Sequence, residues 1–348
     1  MGYHSIVIDA MGGDFAPTEI IKGAEEACKE NKQFRCIFVG DEVKIWEQLE
    51  QASIPDDRYE IIHTDQYISM KDSPKEALIE KPEASIAIAA QLIKDGKGDA
   101  LVSAGNTGAT VLACSKIIPR MPGVERGVLA AVFPALEQRV STSGVSIMLD
   151  VGATLHCTMN QLVSFAIMGI HYAQEILGIQ NPRVGLLNIG EEETKGHDVL
   201  VETHKMLKKM SNINFIGNVE GKDILRGVAD VIVTEGYTGN ILLKGLEGMA
   251  EVFMDLGKDI WKNGVMSKVG IAMMAPRLKK LKTRLDYSEY GGAPMLGFSK
   301  LVIKAHGRSK AKAIKNAILL AEKSAGQQFI KHIEDSMKQF YLSMFERI

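Results

Sequence analysis

A doubly wound, mostly parallel α/β fold is what this sequence predicts, and three observations predict it. Short apolar runs alternate with longer stretches of helical spacing along most of the 348 residues, which is the grammar of βαβ units. Several runs are apolar throughout rather than alternating, as strands covered by helices on both faces are. Gly-rich turns follow many of the runs, at the strand exits where such sheets hold their ligands.

Taken in order, the strand-like runs are Ser5 to Asp9, Cys36 to Val39, Glu60 to His63, Ala100 to Ser103, Val128 to Phe133 and Ser146 to Asp150. Val184 to Ile189, Asn214 to Ile216, Val231 to Thr234 and Leu301 to Lys304 continue the series. Helical spacing predicts helices over Thr18 to Asn31, Pro82 to Lys94, Thr107 to Ile118, Gln161 to Leu177, His197 to Met210, Asn240 to Trp261 and Ser309 to Ala325. From Asn263 to Asp286 the chain is rich in Met and cations, with Pro276 in the middle and no strand-like run. The expected organisation is one α/β unit over 1–330, a basic amphipathic excursion at 263–286 and a helical tail at 331–348.

With 46% apolar and 24% charged residues the chain reads as globular. A net charge of −2 offers no basic footprint for nucleic acid. Cys28, Cys36, Cys114 and Cys157 show no CxxC pair and are expected to be reduced packing residues. Met1-Gly-Tyr-His-Ser runs straight into Ile6-Val7-Ile8, with no basic region and apolar core of a signal segment. The expected location is therefore cytoplasmic, any membrane contact being peripheral, since no window reaches the ~18 apolar residues of a spanning helix.

Four strand exits combine Gly, Asn and Thr or Ser with an immediate helix: Ser103 to Ala109, Asn188 to Gly196, Thr234 to Asn240 and Ala305 to Ser309. Glycine permits tight turns and close approach, and the first amides of a helix attract an anion. Four such exits on one sheet edge would make a phosphate site; each alone also serves as an ordinary capped helix start. The first strand is followed by Asp9-Ala-Met-Gly-Gly-Asp14 rather than GxGxxG, and P-loop, HExxH and GxSxG motifs are absent from the sequence. No metal and no cofactor are expected.

In these loops the sequence resembles the bacterial phosphate acyltransferase family of phospholipid synthesis, whose fold is similar to phosphotransacetylases and isocitrate-dehydrogenase-like enzymes. The resemblance runs from about Ile6 to about Glu322. It rests on Ile8-Asp-Ala-Met-Gly-Gly-Asp14 with Ala16-Pro17, Ser103-Ala-Gly-Asn-Thr-Gly108, and Leu187-Asn-Ile-Gly-Glu-Glu192 with Lys195-Gly196. Glu235-Gly-Tyr-Thr-Gly-Asn240 and Tyr290-Gly-Gly-Ala-Pro294 complete it. Two places depart from the family pattern: Thr154-Leu155-His156, which leaves that loop without an expected role, and Arg308-Ser309-Lys310, where Ser309 could still cap a helix.

The resemblance implies transfer of a long-chain acyl group from acyl carrier protein to inorganic phosphate. It implies a catalytic role for Lys195 and Asn240, as donors to phosphate or to the oxyanion of the thioester carbonyl. His306 could protonate the leaving thiolate; equally, it could be held structurally by its turn. Lys195 could likewise be a solvated partner of Glu191 to Glu193. Asn106, Thr107, Gly108, Thr238, Gly239 and Ser309 are the expected binders of phosphate or thioester.

In the excursion Leu278, Leu281 and Leu285 fall at helical spacing among Arg277, Lys279, Lys280, Lys282 and Arg284. Such a segment can lie on an anionic membrane or grip an acidic carrier protein, or its leucines can pack on the body or on a second subunit. The resemblance further implies a homodimer and peripheral contact with membrane and a downstream acyltransferase. Rival readings are a short-chain phosphotransacetylase using coenzyme A, a metal-dependent dehydrogenase of similar fold, and a membrane scaffold without turnover.

Overall fold

The computed structural model describes residues 3–135, 144–262, 273–274, 291–325 and 329–345. Among the described residues eleven strands form one sheet: β1 (His4–Asp9), β2 (Phe34–Gly40), β3 (Tyr59–His63), β4 (Ala100–Ser103), β5 (Val128–Pro134), β6 (Val145–Leu149), β7 (Val184–Leu187), β8 (Phe215–Val219), β9 (Val231–Val233), β10 (Ala293–Leu296) and β11 (Leu301–Lys304). The helices are α1 (Thr18–Glu30), α2 (Glu42–Leu49), α3 (Pro74–Glu80), α4 (Ser85–Lys94), α5 (Thr107–Ile117), α6 (Met159–Glu175), α7 (Asp198–Lys209), α8 (Gly236–Lys262), α9 (Ala311–Ala325) and α10 (Phe329–Phe345).

Strand order is β3-β2-β1-β4-β11-β10-β5-β6-β9-β7-β8. The block β3-β2-β1-β4-β11 is parallel throughout. Strand β10 is antiparallel to both β11 and β5, and β5 is antiparallel to β6. The block β6-β9-β7-β8 is again parallel within itself, but it runs opposite to the first. This corrects the expectation that four Gly-rich exits share one sheet edge. The exits of β4 and β11 leave one edge, and those of β7 and β9 leave the other.

The alternation of side chains along the strands feeds two core clusters, one on each sheet face. Ile8, Val102 and Ile303 join one, beneath α1, α6, α9 and α10; Val7, Leu101 and Val302 join the other, beneath α4 and α5. Phe329, Ile333, Met337 and Phe340 of α10 are buried in the first cluster, so the C-terminal helix contributes to the core. Gly23 lets α1 meet α9 closely, since a Cβ there would stand 2.5 Å from Ile314 Cβ.

Three elements escaped the pattern reading: β10, which is only four residues long and includes Pro294, and the short helices α2 and α3. The long helix α8 begins at Gly236 rather than Asn240. Its two early glycines look like loop residues but are helical, and Asp150 passes so close against them that no larger side chain fits. A Cβ on Gly236 would lie 2.6 Å from Asp150 Oδ2, and one on Gly239 would lie 1.9 Å from Asp150 O.

Candidate active site

In the first block three strand ends stand in register. Asp9 pairs with Ser103, and Ser103 with Lys304. Ser103 Oγ donates to Asp9 Oδ2 at 2.7 Å, and Ser85 Oγ donates to Oδ1 at 2.6 Å. Ser103 Oγ also accepts from Gly105 N at 3.0 Å, tying the row to the loop above it. Gly12 makes this closeness possible: a Cβ there would sit 2.4 Å from Asp9 Oδ2 and 2.7 Å from Gly105 N.

Asn106 caps α5, its Oδ1 accepting from Ala109 N at 3.2 Å while Nδ2 donates to Asp72 O at 3.2 Å. Its side chain therefore shapes the loop. Thr107 is exposed, and Gly108 lies close to Pro74, whose Cγ would be 2.6 Å from an added Cβ. Beside this loop stands the exit of β11. Asp14 N donates to Gly307 O at 2.9 Å, His306 is half-buried, and Ser309 is buried with its amide bonded to His306 O at 2.9 Å. Glu19 Oε2 accepts from Ala311 N at 2.7 Å, so the carboxylate at the start of α9 comes from α1.

In the second block the centre is Asp150. Its Oδ1 accepts from Leu129 N at 3.2 Å, Gly152 N at 3.0 Å and Ala153 N at 3.0 Å. Its Oδ2 accepts from Thr154 N at 2.7 Å and Thr154 Oγ1 at 2.8 Å. Thr154 thus gains a structural role that its departure from the family pattern had left open; Leu155 and His156 are exposed. Asn240 lies over Gly152, where a Cβ would be 3.5 Å from Asn240 Cγ. Thr238 is exposed and Gly239 buried in the same turn of α8.

Lys195 is exposed, with Nζ 4.0 Å from Glu192 Oε1, and its carbonyl accepts from Asn188 Nδ2 at 2.9 Å. Two residues on, His197 Nε2 stands 3.1 Å from Glu235 Oε2, and Glu235 Oε1 accepts from Cys157 N at 3.1 Å. Glu235 therefore ties the exits of β6, β7 and β9 together. The structure gathers Lys195, Thr238, Gly239 and Asn240 around this block, and Asn106, Thr107, Gly108, His306 and Ser309 around the other. Helix α8 connects them: Arg308 Nη1 is 3.9 Å from Glu251 Oε1, and the charges of Glu247 and Lys244 act on His306.

Electrostatics follow from burial. Asp9 and Asp150 are both pushed up by desolvation, opposed by the hydroxyl and amide donors around them. Burial draws Lys304 down to about 7, against the pull of the Asp9 charge. His306 is lowered by burial, Glu247 opposing and Lys244 adding. Burial raises Cys114 to about 12 and Cys157 to about 11, so neither supplies a thiolate at neutral pH. Asp9, Asp150 and Lys304 were missed by the sequence reading; the available signal was a charged residue ending an apolar run immediately before a Gly-rich turn.

A cavity of about 240 Å³ opens beside the β1 exit, lined by Met11, Tyr67, Ile68 and Met70, with Asp14 and Lys71 among its polar residues. A larger hollow of about 530 Å³, bounded by Glu30 to Gln33, Leu319 and Glu322, lies at the amino end of β2, away from these loops. Glu191, Glu220 and Asp223 bring carboxylates within 4.8 Å of one another, and Lys222 pairs with Glu220. Arg277, Lys279, Lys280, Lys282 and Arg284, expected as a docking surface, lie outside the described residues. Among the described residues no helix is long and apolar enough to cross a membrane.

The fold is similar to that of solved phosphotransacylases. Over 93% of this chain it superposes on 94% of a phosphotransacetylase from Streptococcus pyogenes, with a TM-score of 0.62 at 17% identity. It also superposes on 99% of a branched-chain phosphotransacylase from Enterococcus faecalis V583, with a TM-score of 0.56 at 14% identity. The chain belongs to the fatty acid synthesis protein family, whose model matches residues 4–332. Relatives named phosphate acyltransferase include one from Dictyoglomus turgidum, 43% identical over 334 residues, 96% of this chain and 98% of that one. Another, from Heliobacterium modesticaldum, is 45% identical over 331 residues, 95% of this chain and 96% of that one.

Proposed function

We infer that this chain is an acyltransferase that moves an acyl group from a thioester to inorganic phosphate, releasing an acyl phosphate and a thiol. A phosphate oxygen attacks the thioester carbonyl, the carbon–sulfur bond breaks, and the thiolate leaves. The observation that carries the site assignment is the side-by-side exit of the Asn106 and His306 loops above the Asp9–Ser103–Lys304 row, with α8 connecting them to Asn240. The high thiol pKa values of Cys114 and Cys157 favour direct attack over an acyl-cysteine intermediate.

In this reading Thr107, Gly108 and Gly307 receive the phosphate, with Ser309 holding the turn below. Lys195 and Asn240 stabilise the oxyanion, supported by Thr238 and Gly239 of the same turn, and His306 donates a proton to the leaving thiolate. The donor is a long-chain acyl group on acyl carrier protein, and its product feeds phospholipid synthesis. Support for an apolar donor comes from the Met-lined cavity beside the β1 exit, whose flexible side chains adapt to methylene chains.

Residues 1–330 act as one catalytic unit, and the basic segment at 277–284 receives the acidic carrier or the membrane surface in a cytoplasmic enzyme at the membrane periphery. Helix α8 exposes Ile241, Met249, Val252, Phe253, Leu256 and Ile260, an apolar display that a second copy of the chain would cover.

The decisive assay is phosphate-dependent thiol release from palmitoyl-acyl carrier protein, palmitoyl-coenzyme A and acetyl-coenzyme A, with the product trapped by hydroxylamine. Phosphate-dependent release favouring the carrier-bound long chain is expected. Turnover of acetyl-coenzyme A alone would move the donor to the short-chain class, and release without phosphate would overturn the acceptor. A solution mass of one chain would remove the dimer.

A further inference from the structure

The row Asp9–Ser103–Lys304 does more than close the sheet. Lys304 is 5% exposed, and its Nζ donates to Ala305 O. It directly precedes the His306–Gly307 loop, and its register partner Ser103 directly precedes the Gly105–Asn106 loop. Both loops therefore leave the sheet side by side from one buried pair. An amine placed there without bulk water loses much of its preference for the charged form.

We propose that Lys304 is a positioning residue for the phosphate nucleophile: its amine takes up a proton from solvent as the phosphate dianion enters between the Asn106–Gly108 and His306–Gly307 loops, and the ammonium then holds the anion in place. This rests on the phosphate reading of the site. The groups whose charges bear on the row are Asp9 of β1, Cys114 of α5, Lys244 of α8 and His306 of the β11 exit. Glu247 and Arg308 act on it through His306.

Asp9 alone opposes the lowering of the lysine, and its carboxylate is already engaged by Ser85 and Ser103. With the free amine drawn down to about 7, it is mostly neutral above that pH. An opposite charge within about 4–6 Å raises such a group by about 1–3 units, enough to recharge it.

The test is calorimetric titration of the whole enzyme with inorganic phosphate near pH 8.5, in two buffers of different ionisation enthalpy. At this pH phosphate is already a dianion. The wild type, with the lysine moved from about 7 upward by about 1–3 units, is expected to take up about 0.2 to 0.9 proton per phosphate bound. Lys304→Met should abolish that uptake and raise the KM for phosphate by about 10- to 100-fold, with the KM for the acyl donor little changed. His306→Gln should retain the uptake.

Binding without proton uptake by the wild type overturns the assignment without any variant, as does uptake lost in His306→Gln but kept in Lys304→Met. Equal effects of Lys304→Met on both KM values would make the lysine merely structural. Absence of any phosphate binding to the wild type overturns the phosphate reading itself. Should Lys304→Met not fold, the surface change Lys244→Gln is expected to move the midpoint of uptake upward by removing a like charge; an unmoved midpoint counts against the proposal.

Discussion

His197 Nε2 lies 3.1 Å from Glu235 Oε2, and this contact joins the loop carrying Lys195 to the start of the helix carrying Asn240. The other oxygen of Glu235 accepts from Cys157 N, so one carboxylate fixes three strand exits. Glu235→Gln is expected to lower turnover about tenfold, equivalent to about 1.4 kcal/mol of transition-state stabilisation. It should also lower stability by about 1–2 kcal/mol. Steady-state kinetics and urea unfolding of the same preparation check both.

Lys195→Ala and Asn240→Ala each remove an exposed side chain. Folding should be retained, with stability within about 0.5 kcal/mol of wild type. Turnover should fall by about 10²–10³, the usual effect of losing one oxyanion donor. Near-normal turnover in either variant would remove that residue from the mechanism.

Gly239→Ala should be severe for a different reason. The new Cβ would meet Asp150 O at 1.9 Å, in a turn where backbone lies on backbone. A loss of about 3 kcal/mol is expected, with loosening of the first turn of α8. Denaturant midpoint and amide exchange over residues 236–242 measure it.

Arg183 and Asp230 form a two-point pair, Nε to Oδ2 and Nη2 to Oδ1 both at 2.9 Å, at the starts of β7 and β9. This is the end of the strands opposite the site. Asp230→Ala leaves a largely buried guanidinium without its partner and should cost about 3–5 kcal/mol. Its KM values at a temperature where it remains folded should match those of the wild type.

Lys304 also gives the sign of a pH effect. Its folded value, about 7, is below the ordinary 10.5, so between these values the unfolded chain binds the extra proton. Stability from this group therefore rises with pH across that window, and is lost as pH falls through 7. Lys304→Met should be at least as stable as wild type at pH 7, and its advantage should shrink toward pH 10. Thermal midpoints of both proteins across this range test the sign.

Much of the fold was legible because burial leaves a local mark. Apolar runs such as Ile6 to Ile8, Leu101 to Val102 and Val231 to Val233 lie inside the sheet and are buried, as their composition demands. Strand β10 was not legible: its four residues include a proline and are held between the hairpin partner β11 and the distant β5. Gly236 and Gly239 were read as loop because glycine weakens helices, whereas here the contact with Asp150 excludes every larger side chain.

The sequence by itself determined the α/β class, the Gly-rich strand exits and the family whose motifs occupy them, since these depend on residue type and short spacing. Only the tertiary structure decided that the exits divide between two oppositely running blocks, and that Asp9, Ser103 and Lys304 stand in one row. Strand direction and register are set by pairing between residues as far apart as Asp9, Ser103 and Lys304, and no local pattern records which distant strand will supply the partner.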